Sequence, residues 1–430
     1  MPENQESKLG IVDVDAFQEE IESYFKGNKE KIRKIMETLA NNSQIYDMTK
    51  LGRYGENPHQ VASGGKQRGY KGPTVMNPPL HGKPLGYNNL KDANAALETI
   101  LEFQDKPAVV VVKHKNPCGL ATGENLAEAF ENAWYGDQIS SFGSVVGYSK
   151  IVDEETVQLL KNKFVEVIIA PGYTNGALDW IKSQNSKKDL RVIDIMGEKG
   201  DIELPKIKDY NELNTVIGGM LKQTANQKLF LTNLEALLGR PVKYTELNSG
   251  NEYIVGTVTQ EKFDENQLGL IEFASIAGKH THSNAIVLAY EYAGDKYRVL
   301  GMGAGQPNRM DSAKKLALPK GRENLMRQYF RIKGLDFAQM MDTMINTWPI
   351  QNLETSAPIG EYIDKILGSA RVVLYSDAMF PKRDGLDAAV DMGVKYVIQP
   401  GGSKADDEII KAANESEIAM IFTGMRHFKH

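Results

Sequence analysis

Residues 107–119 read Pro-Ala-Val-Val-Val-Val-Lys-His-Lys-Asn-Pro-Cys-Gly. The apolar run ends abruptly in Lys113 and His114. An unbroken β-branched run is the pattern of a strand buried on both faces, as in open α/β sheets, and such sheets place ligands at the carboxyl ends of their strands. Two readings fit. Lys113 and His114 form a solvated strand end, or they deliver a cation and a base to a site. Neighbours on a regular strand point to opposite faces, so the pair serves one site only if the backbone leaves the strand there. Pro117 and Gly119 supply unusual backbone preferences nearby.

Working outward, the chain alternates helix and strand. Helices are predicted over 91–104, 125–135 and 154–163, and strands over 108–112, 143–148 and 165–170. Further strands are predicted over 285–290 and 297–302. After them comes a helical, Met-rich stretch of about 312–370 with Met326, Met340, Met341 and Met344, whose plain reading is core packing. The last segment returns to strand 372–376, helix 385–392, strand 396–399, helix 406–414 and strand 418–422. The fold class is therefore α/β. Three units are expected: an N-terminal helical arm over 1–50, a first α/β domain over 51–210 and a second over 211–430. Two segments, 113–119 and 279–290, share a basic-His stretch, an Asn elbow and an apolar strand, which hints at two related halves.

The chain has 430 residues, a formal net charge of −5 and a single cysteine, Cys118. That length allows two or three domains with real cores. The charge argues against a general nucleic-acid binder. One cysteine excludes an intramolecular disulfide framework and fits a reducing cytosol. No signal peptide or membrane-length apolar stretch is read, so a cytoplasmic protein without membrane attachment is expected.

Other motifs allow plain and functional readings side by side. Arg53-Tyr54-Gly55-Glu56-Asn57-Pro58-His59-Gln60 is a helix-to-loop connection or a grip on a phosphate or carboxylate. Ser140-Ser141-Phe142-Gly143 is a tight turn or a place where a planar ring approaches backbone. Gly301-Met302-Gly303-Ala304-Gly305-Gln306 has neither Rossmann nor Walker spacing; its glycines let backbone pass close to something flat, with Arg309 just beyond. His280-Thr281-His282 is a possible metal pair in isolation, but a lone cysteine and no carboxylate motif disfavour zinc. The zinc-deaminase signature is absent around His114 and Cys118.

Ten blocks, RYGENPHQ, GKPLGYNNLKDA, VVKHKNPCG, ISSFG, EVIIAPGY, HSNAIV, GMGAGQPNR, SDAMFPKRDG, IQPGGSKADDEII and GMRHFKH, follow one another from residue 51 to residue 430. In content and order they closely resemble the formyltransferase part of the bifunctional AICAR transformylase/IMP cyclohydrolase family. The resemblance implies two cytidine-deaminase-like α/β/α units without zinc, a helical insertion at about 312–370, and a cytoplasmic homodimer with shared active sites. The implied reaction is formyl transfer from 10-formyltetrahydrofolate to the 5-amino group of AICAR. A structural monovalent cation such as potassium is compatible with it. The family's cyclohydrolase domain precedes the first block; residues 1–52 here look like the helical connector, so a separate IMP cyclohydrolase is expected as partner.

By position, Lys113, His114 and Asn284 match catalytic residues. Arg53, Tyr54, Phe142, Gly143, Glu166, Arg426, Phe428 and His430 match residues at the nucleotide, the terminal ones from the partner subunit. Arg309, Met310, Phe380, Pro381 and Asp384 match the folate side. Many relatives read Phe-Phe-Pro-Phe where this chain has Met379-Phe380-Pro381-Lys382, which places a cation near the folate tail. Rival readings are ring closure to IMP on the same fold, formylation driven by formate and ATP, and a non-catalytic nucleotide-binding homologue.

Overall fold

The structure, a computed structural model, describes residues 28, 30–31, 46–52, 54–197, 211–246, 249–334 and 357–430. Most of the helical arm expected over 1–50, Arg53, and Met340, Met341 and Met344 lie outside the described residues. Of the arm, Glu30 and Lys31 are helical, but Tyr46–Lys50 is a strand, so the arm cannot be helical to residue 50.

A hairpin of β1 (Tyr46–Lys50) and β2 (Ser63–Gln67) leads into α1 (Tyr87–Ile100), β3 (Ala108–Lys113), β4 (Asn116–Thr122), α2 (Leu126–Trp134), β5 (Ser144–Tyr148), α3 (Glu154–Gln158), β6 (Val165–Ala170), α4 (Asn175–Ser183) and β7 (Arg191–Asp194). After the hairpin β8 (Asn211–Val216) and β9 (Gly219–Thr224) come β10 (Val242–Thr245), β11 (Glu252–Thr257), α5 (Leu268–Lys279), β12 (Ile286–Ala293) and β13 (Lys296–Gly303). A wide helical segment, Ser312–Ala317, continues into α6 (Leu318–Ile332). The chain finishes with α7 (Ala357–Leu367), β14 (Val372–Ser376), α8 (Asp384–Asp391), β15 (Tyr396–Gln399), α9 (Asp406–Glu415) and β16 (Ala419–Phe422).

Twelve strands form one mixed sheet in the order β10-β11-β16-β15-β14-β12-β13-β4-β3-β5-β6-β7. Within it the same plan occurs twice. β4-β3-β5-β6-β7 and β13-β12-β14-β15-β16 each carry antiparallel pairs first and parallel pairs after them. The two runs meet where β13 lies antiparallel to β4, with Arg298 opposite Ala121. The repeat is real, but the two segments 113–119 and 279–290 are not its equivalents. Lys113 and His114 stand at the end of a strand, whereas Lys279 ends a helix and precedes one.

Val109–Val112 are wholly buried, as the β-branched run requires. Each such side chain contributes about 1.5–3 kcal/mol. α1 presents Leu90, Ala93, Leu97 and Ile100 to the sheet at helical spacing. α1 and α5 cover one face of both halves in a continuous core, and Phe103 meets Phe273 with ring centroids 6.1 Å apart. On the opposite face α2 and α4 cover the first half and α6 to α9 the second. Met326 is buried there, as core packing demands.

The main local correction is β4. The elbow expected around Pro117 and Gly119 is a full strand. Pro117 is accommodated because the register slips between Val111 and Val112, so a bulge sits where a ladder N–H is missing. Gly119 does not take a positive φ; its side chain is missing because a Cβ there would lie 1.9 Å from the Ala133 carbonyl oxygen at the end of α2. Helix α3 stops at Gln158, well short of the predicted residue 163.

Candidate active site

β3 passes to β4 through only His114 and Lys115, which have φ of 52° and 62°. Two successive left-handed residues make the type of tight turn that matches the twist of a hairpin. Neither is glycine or asparagine, and left-handed backbone costs about 1–2 kcal/mol per such residue. The carboxylate of Asp92 offsets this. Its two oxygens accept the backbone N–H groups of Lys115 at 2.8 Å and of His114 at 3.3 Å. The backbone thus leaves the strand at Lys113, and Lys113 and His114 line the same cavity.

That cavity measures about 1180 Å³. Its walls include Gly52, Tyr54, Gly55 and Glu56, the start of α1, the β3–β4 turn and Val145 of β5. Lys113 Nζ donates to the Phe142 carbonyl at 2.6 Å, which ties the strand end to the turn before β5. Gly143, with φ of 72°, follows, and its N–H donates to the Phe164 carbonyl at 2.8 Å. The Phe142 ring is exposed and packs against Phe164 with centroids 5.0 Å apart. Glu166 reaches the cavity from β6; its Oε2 accepts from Asn89 at 2.9 Å and pairs with Arg191 at 3.5 Å. Tyr54 is half exposed at the rim. Its loop is self-bonded: Gly55 N–H donates to the Gln60 carbonyl at 2.6 Å and Asn57 N–H to Gln60 Oε1 at 2.8 Å.

Lys83, Lys91, Lys113, Lys115 and Arg191 face Glu56, Asp92 and Glu166 across the opening, an excess of positive charge that suits an anionic ligand. Burial, and then the neighbouring Lys91 and Lys429 charges, push the Lys115 ammonium below its ordinary pKa. Burial raises the Asp92 carboxyl, against the pull of its two backbone N–H bonds. Asn89, Asp92, Lys115 and Arg191 were not singled out from the sequence. Asn89 and Asp92 stand three apart in Tyr87-Asn88-Asn89-Leu90-Lys91-Asp92, which puts both on one face of a helix; that spacing was the available signal.

The remaining candidates form a second cluster outside the cavity lining. Arg309 is buried, and its Nη2 donates to Asp377 Oδ1 at 2.7 Å and to Asn284 Oδ1 at 2.9 Å. Asn284 Nδ2 donates to the Gln306 carbonyl at 3.0 Å, so both ends of its amide are engaged. Met310 is half-buried beside Arg309. Phe380 is wholly buried in the second-half core, while Pro381 is exposed and Asp384 opens α8. Gly301 and Gly303 lie in β13, and a Cβ at Gly303 would meet the Ser312 carbonyl oxygen at 2.0 Å. What passes close to these two glycines is the helical backbone of this chain.

The terminal residues run past this cluster. Ser283 N–H donates to the Lys429 carbonyl at 2.9 Å, and Lys429 Nζ pairs with Glu98 at 2.9 Å. Arg426 stacks on Phe428, 4.3 Å from the ring centroid, and Phe428 and His430 are exposed. His427 between them is buried; its Nε2 lies 3.0 Å from the Leu229 carbonyl and its Nδ1 2.9 Å from Asn226 Nδ2. The clusters touch where Asn116 Oδ1 accepts the His282 N–H at 3.0 Å. His280 bonds Glu102, and no group of three metal-ligating side chains occurs among the described residues.

A mixed α/β sheet with a large cationic cleft at a strand end defines an α/β protein suited to an anionic small molecule. The chain belongs to the AICARFT/IMPCHase bienzyme family, whose model matches residues 12–320. It is 36% identical over 386 residues to the bifunctional purine biosynthesis protein PurH of Lactobacillus acidophilus, covering 90% of this chain and 60% of that protein. PurH of Acetivibrio thermocellus is 36% identical, with 88% and 59% covered, and PurH of Xanthomonas oryzae pv. oryzae 38% identical, with 88% and 57% covered. The chain therefore spans less than two thirds of the length of these relatives. Among the described residues no helix is long and apolar enough to cross a membrane.

Proposed function

We propose that this chain acts in purine biosynthesis as the formyltransferase of its family, moving a formyl group from 10-formyltetrahydrofolate to the 5-amino group of AICAR. The observation that carries the reading is the left-handed turn that aims Lys113 and His114, neighbours in sequence, into one cationic cavity. The amine of AICAR is conjugated with its carboxamide and is a weak nucleophile. As its nitrogen bonds to the formyl carbon, His114 takes its proton. The formyl oxygen becomes an oxyanion that the Lys113 ammonium stabilises. The bond from carbon to the folate nitrogen then breaks, and Lys113 gives that nitrogen a proton. Holding Lys113 against the Phe142 carbonyl leaves two ammonium hydrogens for the substrate.

The positive walls suit the nucleotide phosphate, and Glu166, braced by Asn89 and Arg191, suits its polar ring substituents. Arg426, Phe428 and His430 stay outside the cavity lining of one protomer, so in this proposal they complete the site of a second copy in a homodimer. Folate binds toward the second half, where Met310, Pro381, Lys382 and Asp384 are reachable; Phe380 backs that surface from within the core.

The test is tetrahydrofolate release, followed by absorbance, on mixing the protein with AICAR and 10-formyltetrahydrofolate. Release that requires both substrates supports the reading. No release, together with formation of IMP from formylated AICAR without folate, would replace it by ring closure.

A further inference from the structure

We propose that Asp92 is a positioning residue: its carboxylate clamps the two left-handed peptides between β3 and β4 and so sets Lys113 and His114 toward one cavity. The proposal rests on the formyl-transfer reading for what the clamp serves, though not for the clamp itself. On a regular strand the two side chains would face opposite ways. Only the departure at His114 and Lys115 brings them together, and both residues hold a backbone conformation that glycine or asparagine would adopt more readily. Both Asp92 oxygens are turned to these two peptide N–H groups, at 2.8 and 3.3 Å, although the ammonium-bearing Lys115 is close by.

The carboxylate is well placed to act as a template. It projects from α1, whose opposite face is buried under the sheet, so its position is fixed by a rigid element rather than by a loop. One turn earlier on the same face Asn89 holds Glu166 at 2.9 Å. Helix α1 thus sets two walls of the cavity with two side chains that contact the protein itself.

The experiment is a double-mutant cycle on turnover. Asp92→Ala is expected to lower kcat by about 10- to 100-fold, the size of a sub-ångström to ångström misplacement, with the dissociation constant for AICAR changed by less than about threefold. Lys115→Gly removes the backbone penalty that the clamp offsets, so in that background the effect of Asp92→Ala should shrink to about threefold or less. An undiminished kcat in Asp92→Ala, or an equal loss in both backgrounds, would overturn the proposal. A crystal structure of Asp92→Ala gives a readout without activity. His114 or Lys115 is expected to leave the left-handed region, and both retaining it would overturn the clamp even for a protein that fails to transfer formyl groups. A wild-type chain without turnover would sink the functional reading alone.

Discussion

His114 is exposed at the turn while Lys113 is half-buried and bonded to Phe142, so the two differ in freedom before any substrate arrives. A base must reach a proton wherever the amine lies; an oxyanion partner must be fixed in advance. His114→Ala should lower kcat by about 10²–10⁴-fold with AICAR binding nearly unchanged, as read by single-turnover kinetics and calorimetric titration. Alanine also strains a left-handed position, so His114→Asn, which tolerates it, is the sharper variant. Wild-type turnover in His114→Asn would remove the base role. The Lys-His pair at a strand end was legible in the sequence, as was the condition that the backbone must turn away. The turn itself was not. His-Lys carries no turn signature of the Asn-Gly kind, and the stabilising carboxylate stands more than twenty residues upstream, where only the fold shows its reach.

At the level of elements, strands rich in valine declared themselves and punctuated ones did not. β4 contains Pro117 and Gly119, which normally mark loops. Proline survives there through a bulge, and glycine is needed for the approach of α2, both decided by neighbours distant in sequence. Gly301 and Gly303 misled in the same way, since their close partner is a helix. The terminal segment after β16 shows the opposite case, a tail pinned by a buried residue. A carbonyl can only accept, so His427 Nε2 carries the proton and Nδ1 accepts from Asn226; the ring is neutral. Burial is the main cause that brings its pKa down to about 4. The unfolded chain binds a proton near pH 6.5 that the folded chain refuses, so stability is full above that pH and falls as pH drops toward 4. The loss from this residue alone is roughly 3 kcal/mol. Burial and nearby positive charge bring His282 to about 4 as well, adding to the same slope. Urea unfolding between pH 7 and 4 should show that decline, and His427→Gln should flatten it. An unchanged slope in the variant would mean that the terminal segment is not anchored through this ring.

Across the whole molecule, alternation of helix and strand in both halves was legible, and the repetition of strand order follows from it. That the halves share one sheet was not legible, because the seam consists of groups far apart in the chain. Tyr297 N–H donates to Thr122 Oγ1 at 2.9 Å, and Asn324 on α6 donates to the Gly136 and Leu300 carbonyls at 2.6 and 2.7 Å. Under the other face Glu102, just beyond α1, receives Lys279 at 2.6 Å and His280 at 3.1 Å from the end of α5. Burial opposes ionisation of Glu102, yet His280 and then Lys279 outweigh it and bring the carboxyl down to about 2. The Lys279 ammonium is almost wholly buried against that carboxylate. Glu102→Ala should destabilise the chain by about 3–5 kcal/mol, the usual result of stranding one member of a buried ion pair. Replacing both partners, as Glu102→Met with Lys279→Met, removes the stranded charge and should recover most of that loss. Denaturant midpoints of wild type, Glu102→Met, Lys279→Met and the double variant close a cycle that gives the coupling. A loss below about 1 kcal/mol in Glu102→Ala would show that the halves are held by the shared sheet and core alone. If the coupling is large, the pair also fixes the approach of the 282–284 loop to Asn116, and through it the spacing between the cavity and the Asn284–Arg309 cluster.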